Sequence, residues 1–535
     1  MMSFSKKNIL SFDIGTSSVK ISIVKIDSNV EYKILYQAKE YYDQKRIRRE
    51  NLGAKTNYSQ QNVEVIWQTI ERTMVRISAN LSKNVEIDLI TVCGQMHGIV
   101  LWSNAILHPN RSETLKSFSE INFTLISDHY DWTDGRCDGK FLEKLPRPDC
   151  YLDQPSSGFG CATLFWLQEH STEWLQQFDR CGTIMDWLVS MLGSIDQVRM
   201  HSHNAFSWGY FDPKSTDWNK EILENSNFPK HLLPNVINRI EIIGETRFKW
   251  HFVESGTKIT NAGADLQSII ALALLNDDSD SFVINFGTSG QICRSIDRDQ
   301  FEIPKKSNQT IKSIDFVPFF DENQFLMIAA TLNGGNVLNE FINHLQSIVK
   351  VLTKIELRIE DIWDRLIESF DSKENYDWQS NRAYTIKPNL FGERFDPNRC
   401  CSIEFFHRWP NLLEFVSTLC VGLIKNLIEM MPDFTQTIRI NEMKRKKTLI
   451  ICAGSLFNRN PFMKMAMERI ITEILTSNEN KCNKKGFDKS NNSGEENEEK
   501  CEQNQINSLI ELKFIENCDA QIGMAINAFK QIYLK

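Results

Sequence analysis

The sequence predicts an α/β fold in two domains, on three observations. The chain has 535 residues, more than one hydrophobic core usually serves, so two domains are expected. Short apolar runs ending in Gly-rich turns alternate with stretches of helical period, the pattern of an α/β sheet with ligand loops at its strand ends. One stretch near the start is also echoed about half a chain later: Phe12-Asp13-Ile14-Gly15-Thr16-Ser17 and Ile284-Asn285-Phe286-Gly287-Thr288-Ser289.

The expected strands are Ile9–Phe12, Ile87–Val92, Phe282–Ile284, Leu326–Ala330 and Leu449–Cys452, each followed within a few residues by a glycine. Between them, Val63–Ile77, Trp166–Phe178, Asn336–Val349 and Leu412–Met430 repeat apolar residues at the spacing of an amphipathic helix. The domains are expected at 1–255 and 256–535. Residues 476–507 are rich in Asn, Glu, Lys and Ser and nearly lack large apolar groups. Such a segment cannot offset its own ordering entropy, and it reads as a disordered surface insertion.

Composition sets several function classes aside. A net charge of -8 argues against nucleic acid as a partner, which requires a basic face. It leaves room for a local phosphate site built from backbone N–H groups and a metal. No apolar run approaches the roughly 18–20 residues of a membrane span. The 13 cysteines include no C-x-x-C pair, and an odd number without a secretory signal suits a reducing, cytoplasmic setting. There is no G-x-x-x-x-G-K-[ST], no G-x-G-x-x-G after a strand and no H-R-D with D-F-G. P-loop enzymes, dinucleotide binders and protein kinases are thereby excluded. His201-Ser202-His203 lacks a third ligand nearby and reads as a surface or hydrogen-bonding pair.

The echoed turns carry the chemistry. Each places a glycine and two hydroxyls at a strand end, where the chain turns tightly and exposes N–H groups, and two such turns suit the grip of two similar halves on a polyphosphate. Only the first copy holds an acid, Asp13, which suits a magnesium ion bound partly through water. Asp265 sits in Gly263-Ala264-Asp265-Leu266-Gln267, just before an apolar helix. Alone, it is open between a carboxylate that accepts a proton and a helix N-cap.

Taken together these strings resemble the FGGY family of carbohydrate kinases. Ser11-Phe12-Asp13-Ile14-Gly15-Thr16-Ser17 and Gly287-Thr288-Ser289 are similar to its phosphate motifs, and Gly263-Ala264-Asp265-Leu266-Gln267 to its catalytic-base loop. Cys93-Gly94-Gln95-Met96-His97-Gly98 and Trp132-Thr133-Asp134-Gly135-Arg136 are similar to its sugar motifs, Asn333-Gly334-Gly335-Asn336 and Ala453-Gly454-Ser455 to its nucleotide turns. Longer strings, among them Ser157–Thr163, Asn204–Phe211 and Asn389–Arg394, resemble the branch that phosphorylates sedoheptulose. Two positions depart from the family's pattern: Ala264 stands where glycine is expected, and Ala453 precedes Gly454 in place of a second glycine.

The resemblance implies two actin-like (RNase-H-like) domains with an interdomain cleft, sugar mainly on the N-terminal side and ATP mainly on the C-terminal side. It implies transfer of the γ-phosphoryl of ATP, with Mg2+, to a terminal hydroxyl of a small-molecule sugar. The expected product is sedoheptulose 7-phosphate, which feeds the pentose phosphate pathway. Asp265 would be the base, and Asp13 would hold the metal. Gly15, Thr16, Ser17, Gly287 and Thr288 would surround the phosphates; Gly334, Gly454 and Asn458 would border the adenosine. Gln95, Met96, His97, Asp134, Arg136 and Gln267 would line the sugar, with Trp132 open between a stacking platform and a core residue. A cytoplasmic monomer or homodimer is implied. The competing readings are a kinase for xylulose, ribulose or glycerol, a catalytically silent nucleotide and sugar sensor, and an actin- or chaperone-like ATPase. The last would not need the motifs at 95–98 and 132–136.

Overall fold

The computed structural model describes residues 6–48, 58–82, 85–107, 117–147, 155–275, 281–298, 313–371, 384–396, 398–405, 408–482, 510–515 and 519–534. They form two large sheets of the same plan, with five two-stranded ones beside them. In the first, β1 (Lys7–Ile14), β2 (Ser18–Ile26) and β3 (Tyr32–Tyr41) make an antiparallel meander. Helix α1 (Val63–Asn80), capped by the Asn62 side chain on the N–H groups of Glu64 and Val65, leads to β4 (Leu89–Gly94), which lies parallel to β1. The sheet continues through β5 (Ile242–Glu245), β6 (Lys258–Thr260) and β7 (Gly263–Ala264).

The second sheet holds β8 (Phe282–Phe286), β9 (Gly290–Asp297), β10 (Ile314–Pro318), β11 (Gln324–Thr331), β12 (Thr448–Ala453) and β13 (Ile510–Phe514). Read inward from the meander, β3-β2-β1-β4-β6 and β11-β9-β8-β12-β13 have the same order. Their strand directions match as well, antiparallel through the meander and parallel beyond the first strand. The echoed motifs end β1 and β8, so the repeat seen in the sequence is the repeat of the fold.

Each sheet alternates its faces as period-2 strands must. Leu10, Phe12 and Ile14 of β1 pack with Ile66, Ile70 and Met74 of α1. Phe282, Ile284 and Phe286 of β8 pack on a second core that includes Val416 and Leu423 of α5 (Leu412–Glu429). The opposite faces, with Ile9 and Leu89 from one sheet and Val283 and Ile451 from the other, share a third core. Two helices fill it: Ile270 belongs to α3 (Asp265–Ala273), Met524 and Phe529 to α8 (Ala520–Tyr533). The helices touch so closely that a Cβ at Gly523 would lie 1.9 Å from Ser268 O. Only glycine fits there.

Several expectations change in detail. The helix expected over Trp166–Phe178 is α2 (Gly160–His170), followed after Ser171 by a separate turn, Thr172–Leu175. The division expected between 255 and 256 falls between β5 and β6, which pair antiparallel. Both β6 and β7 pair with β4, so the first sheet runs on to Ala264. Part of the segment expected to be disordered is helical, because α7 (Pro461–Cys482) continues through its first seven residues; 483–507 lie outside the described residues. His201 and His203 are wholly buried, not a surface pair. Among the described residues, no helix is long and apolar enough to cross a membrane.

Candidate active site

The carboxy ends of β1, β4 and β7 lie side by side, with Asp13 opposite Cys93 and Ala264 opposite Gly94. This register places two carboxylates at one edge of the sheet. Asp13 is 8% exposed, and its Oδ1 is buried without a hydrogen-bond partner among the described residues. Burial raises its pKa to about 6, against the pull of Lys20. Lys20 sits opposite Asp13 in the β1–β2 register. Its Nζ is 3.8 Å from Asp13 Oδ2 and donates to Asp519 Oδ1 at 2.9 Å. Asp519 immediately precedes α8, so this ion pair ties the far end of the chain to the site.

Asp265 opens α3 as its first residue, and Ala264 occupies the cap position. The N-cap alternative is therefore excluded: the Asp265 Oδ1 accepts only from the neighbouring Leu266 N–H, at 2.7 Å, among the described hydrogen bonds. Burial, then the charge of Asp13, raises its pKa to about 7. Ala264 has φ -92° and ψ 150°, ordinary extended backbone, so alanine in place of glycine costs nothing here. Its N–H donates to His203 Nε2 at 2.9 Å, which fixes the His203 proton on Nδ1. Burial holds that imidazole far below its ordinary pKa and keeps it a neutral acceptor. Gln267 is fully buried, and neither amide atom has a partner among the described residues.

The two phosphate-type turns are built alike. Gly15 N–H donates to Ser18 O at 3.0 Å and Gly287 N–H to Ser289 O at 2.9 Å, so both glycine N–H groups close their turns. The side chains of Ser17 and Thr288 are exposed, and Thr16 Oγ1 accepts from Trp132 Nε1 at 3.0 Å, leaving its own O–H to donate. Gly335 N–H and Asn336 N–H reach back to Gly287 O and Thr288 O at 2.9 and 3.1 Å. The second turn thus meets the N-terminus of α4 (Gly335–Thr353), where the helix dipole favours an anion. Gly454 adjoins them with φ +99°, and a Cβ there would lie 2.3 Å from Phe286 O. It starts α6 (Ser455–Arg459), in which Asn458 Oδ1 is buried and unpartnered among the described residues.

On the sugar side, Gln95 is 2% exposed; its Nε2 donates to Gln61 Oε1 at 3.0 Å and its Oε1 lacks a partner among the described residues. His97 holds φ +72°, costly for a non-glycine residue, and Ser207 secures it through His97 N to Oγ at 3.3 Å and Nδ1 to O at 2.8 Å. The bond to a carbonyl puts the proton on Nδ1, and burial, with Arg394 adding to it, lowers its pKa to about 3. Its Nε2 is therefore an acceptor. The ring stacks on Phe159 at 4.6 Å and 6°. Met96 beside it is half-buried.

Asp134 and Arg136 hold each other. Arg136 Nε and Nη2 donate to the two carboxylate oxygens at 2.7 and 3.0 Å, while Ser59 N–H and Arg136 N–H complete the carboxylate's shell. The guanidinium is 4.1 Å from the Tyr130 ring centroid and 5.2 Å from that of Trp166. This pair props the loop carrying Trp132 and uses two of the guanidinium's five N–H donors. The residues that sequence reading left without a role are Lys20, Gln61, His203, Glu393 and Arg394. Glu393 and Arg394 stood inside the Asn389–Arg394 string and Lys20 three residues beyond the first phosphate motif; Gln61, in a two-residue strand far from any motif, carried no signal.

The chain is similar to known proteins in sequence and in fold. The N-terminal domain of the FGGY family of carbohydrate kinases matches residues 153–270, past 255 and into α3. Over 465 residues the chain is 31% identical to the sedoheptulokinase of Mus musculus, covering 86% of this chain and 92% of that protein. The Homo sapiens sedoheptulokinase is 30% identical with the same coverages. Gluconate kinase from Lactobacillus acidophilus shares the fold with a TM-score of 0.67 at 17% identity, over 99% of this chain and 90% of that one. Plasmodium falciparum glycerol kinase with ADP does so at 0.61 and 15%, over 86% and 84%. Two sheets of one plan, paired turns at their strand ends, two carboxylates at the strand ends of the first sheet and this identity along most of the chain lead to one conclusion: the chain belongs to the FGGY family of carbohydrate kinases.

Proposed function

We propose that the protein phosphorylates sedoheptulose at its terminal hydroxyl with ATP, giving sedoheptulose 7-phosphate and ADP. The observation that carries this reading is Asp265: a half-buried carboxylate just past a strand end, with a pKa of about 7 and outside the N-cap position. A sugar hydroxyl is a weak nucleophile at neutral pH, and a carboxylate that takes its proton as the new bond forms speeds the step. The branch of the family follows from the identity to the two sedoheptulokinases.

The remaining work is alignment and charge neutralisation, which phosphoryl transfer chiefly requires. His97 Nε2, Gln95 Oε1 and the Gln267 amide are the polar atoms left for sugar hydroxyls; Asp134 and Arg136 hold the wall behind them. The hydroxyls of Thr16, Ser17 and Thr288 and the start of α4 face the phosphates, and Gly454 and Asn458 border the adenosine. Asp13 fits a magnesium ion, since its Oδ1 is a buried carboxylate oxygen with no described donor. No group of three or more ligating side chains exists among the described residues, as befits an ion that takes one carboxylate plus waters and phosphates. When bound, Mg2+ would neutralise charge on the phosphate oxygens. The halves divide after Ala264, and the protein acts as a cytoplasmic monomer or homodimer.

An ADP-release assay over sedoheptulose, xylulose, ribulose and glycerol tests the reading. The highest kcat/KM is expected for sedoheptulose. A higher value for another sugar reassigns the substrate, and no turnover with any of them contradicts the kinase assignment.

A further inference from the structure

Residues 388–396 form a loop of the C-terminal half that links the Asn333–Gly334 turn with Phe159 of the N-terminal half. Its anchor is Glu393, fully buried. That carboxylate accepts from Thr331 Oγ1 at 2.6 Å, Leu332 N–H at 3.0 Å, Asn333 Nδ2 at 3.0 Å and Asn426 Nδ2 at 2.8 Å. Phe391 N–H and Gly392 O bond the two ends of the Asn333 amide. The loop is therefore fixed to the strand end that leads into Gly334.

The next residue, Arg394, points the other way. Its guanidinium carbon lies 6.0 Å from the ring centroid of Phe159, the ring on which His97 stacks, and its charge helps keep His97 neutral. Arg394 is solvent-exposed, yet surrounding protein lowers its pKa below the ordinary arginine value, the combination expected inside a cleft. Its guanidinium N–H donors have no hydrogen-bonding partner among the described residues. Arg136 presents a different case: it is 6% exposed, two of its donors bond Asp134, and its plane is enclosed by rings.

We propose that Arg394, not Arg136, supplies the guanidinium that hydrogen-bonds the hydroxyls of the bound ketose, beside His97. This inference rests on the kinase reading above. Because Arg394 comes from the nucleotide half and the rest of the sugar site from the other, the full set of sugar contacts forms only when the halves approach. A rigid, planar fork matches vicinal hydroxyls, which a lysine ammonium does not reproduce.

The test compares wild type, Arg394→Lys and Arg394→Ala by steady-state kinetics with sedoheptulose, alongside ADP titration and thermal unfolding of each. The expected result is a rise in ketose KM of about tenfold to a hundredfold for Arg394→Ala, the range for a lost charged hydrogen bond. Arg394→Lys should recover only part of it, with ADP affinity and unfolding midpoint unchanged. An unchanged ketose KM overturns the inference and leaves the kinase reading standing. So does a fall in kcat at unchanged KM, which would place the guanidinium on the transferring phosphoryl. If wild type phosphorylates no sugar, the kinase reading fails and takes this inference with it.

Discussion

At Asp265, burial and the charge of Asp13 both oppose ionisation, while the Leu266 N–H and Lys20 favour it. The balance keeps the carboxyl protonated well above its ordinary value of 3.8, near 7. Below that pH the base carries its proton and cannot accept another, so kcat/KM is expected to fall about tenfold per pH unit on the acid side. A magnesium ion at Asp13 offsets part of the repulsion, so raising Mg2+ should move this limb to lower pH. A pH–rate profile at two Mg2+ concentrations measures both effects. In the sequence only its neighbours separate this residue from a cap, since a lone Asp before a helix is as readily one. What the sequence left open, the effect of Ala264, is settled by one backbone angle, and no composition or motif reports a φ. Asp134 and Arg136 show what a motif does not report: the two side chains pair with each other, a contact visible only once the loop is folded.

Among the elements, the strands were the most legible, because buried strands read as apolar runs and their Gly-rich ends break the pattern. Ile87–Val92 became Leu89–Gly94 and Leu449–Cys452 became Thr448–Ala453, shifts of a residue or two. The helix expected over 166–178 failed because buried residues begin at Gly160; a helix buried on nearly all sides loses the periodic contrast on which such reading depends. Gly454 carries the element-scale prediction. Its φ is +99°, and the Phe286 carbonyl oxygen lies 2.3 Å from where a Cβ would stand, so Gly454→Ala must shift the backbone between β12 and α6. A loss of about 1–3 kcal/mol is expected, together with weaker ADP binding, readable by denaturant unfolding and by titration. Unchanged ADP affinity would separate this turn from the nucleotide.

For the whole molecule, the repeated β3-β2-β1-β4-β6 plan was foreshadowed by the Gly-Thr-Ser echo, but the way the halves join was not. The third core is assembled from Ile9, Leu89, Val283, Ile451, α3 and α8, contacts separated by up to most of the chain. Local pattern cannot report them. For the same reason the pairing of β6 and β7 with β4, far away in sequence, carried no local signal. Because α8 fills this shared core and Asp519 holds Lys20 at 2.9 Å, truncation before Asp519 is expected to destabilise both halves. The sign of this would be loss of a cooperative thermal transition in the truncated chain; an unaltered midpoint would mean that the halves stand without it.

The central claim, that Asp265 takes the proton from the sugar hydroxyl, is tested most directly by Asp265→Asn at pH 8. Asparagine keeps the shape and removes the basic oxygen. The account predicts a fall in kcat of about 10²–10⁴, with sedoheptulose and ADP still bound at close to wild-type affinity by calorimetry. A variant that retains its kcat would contradict it.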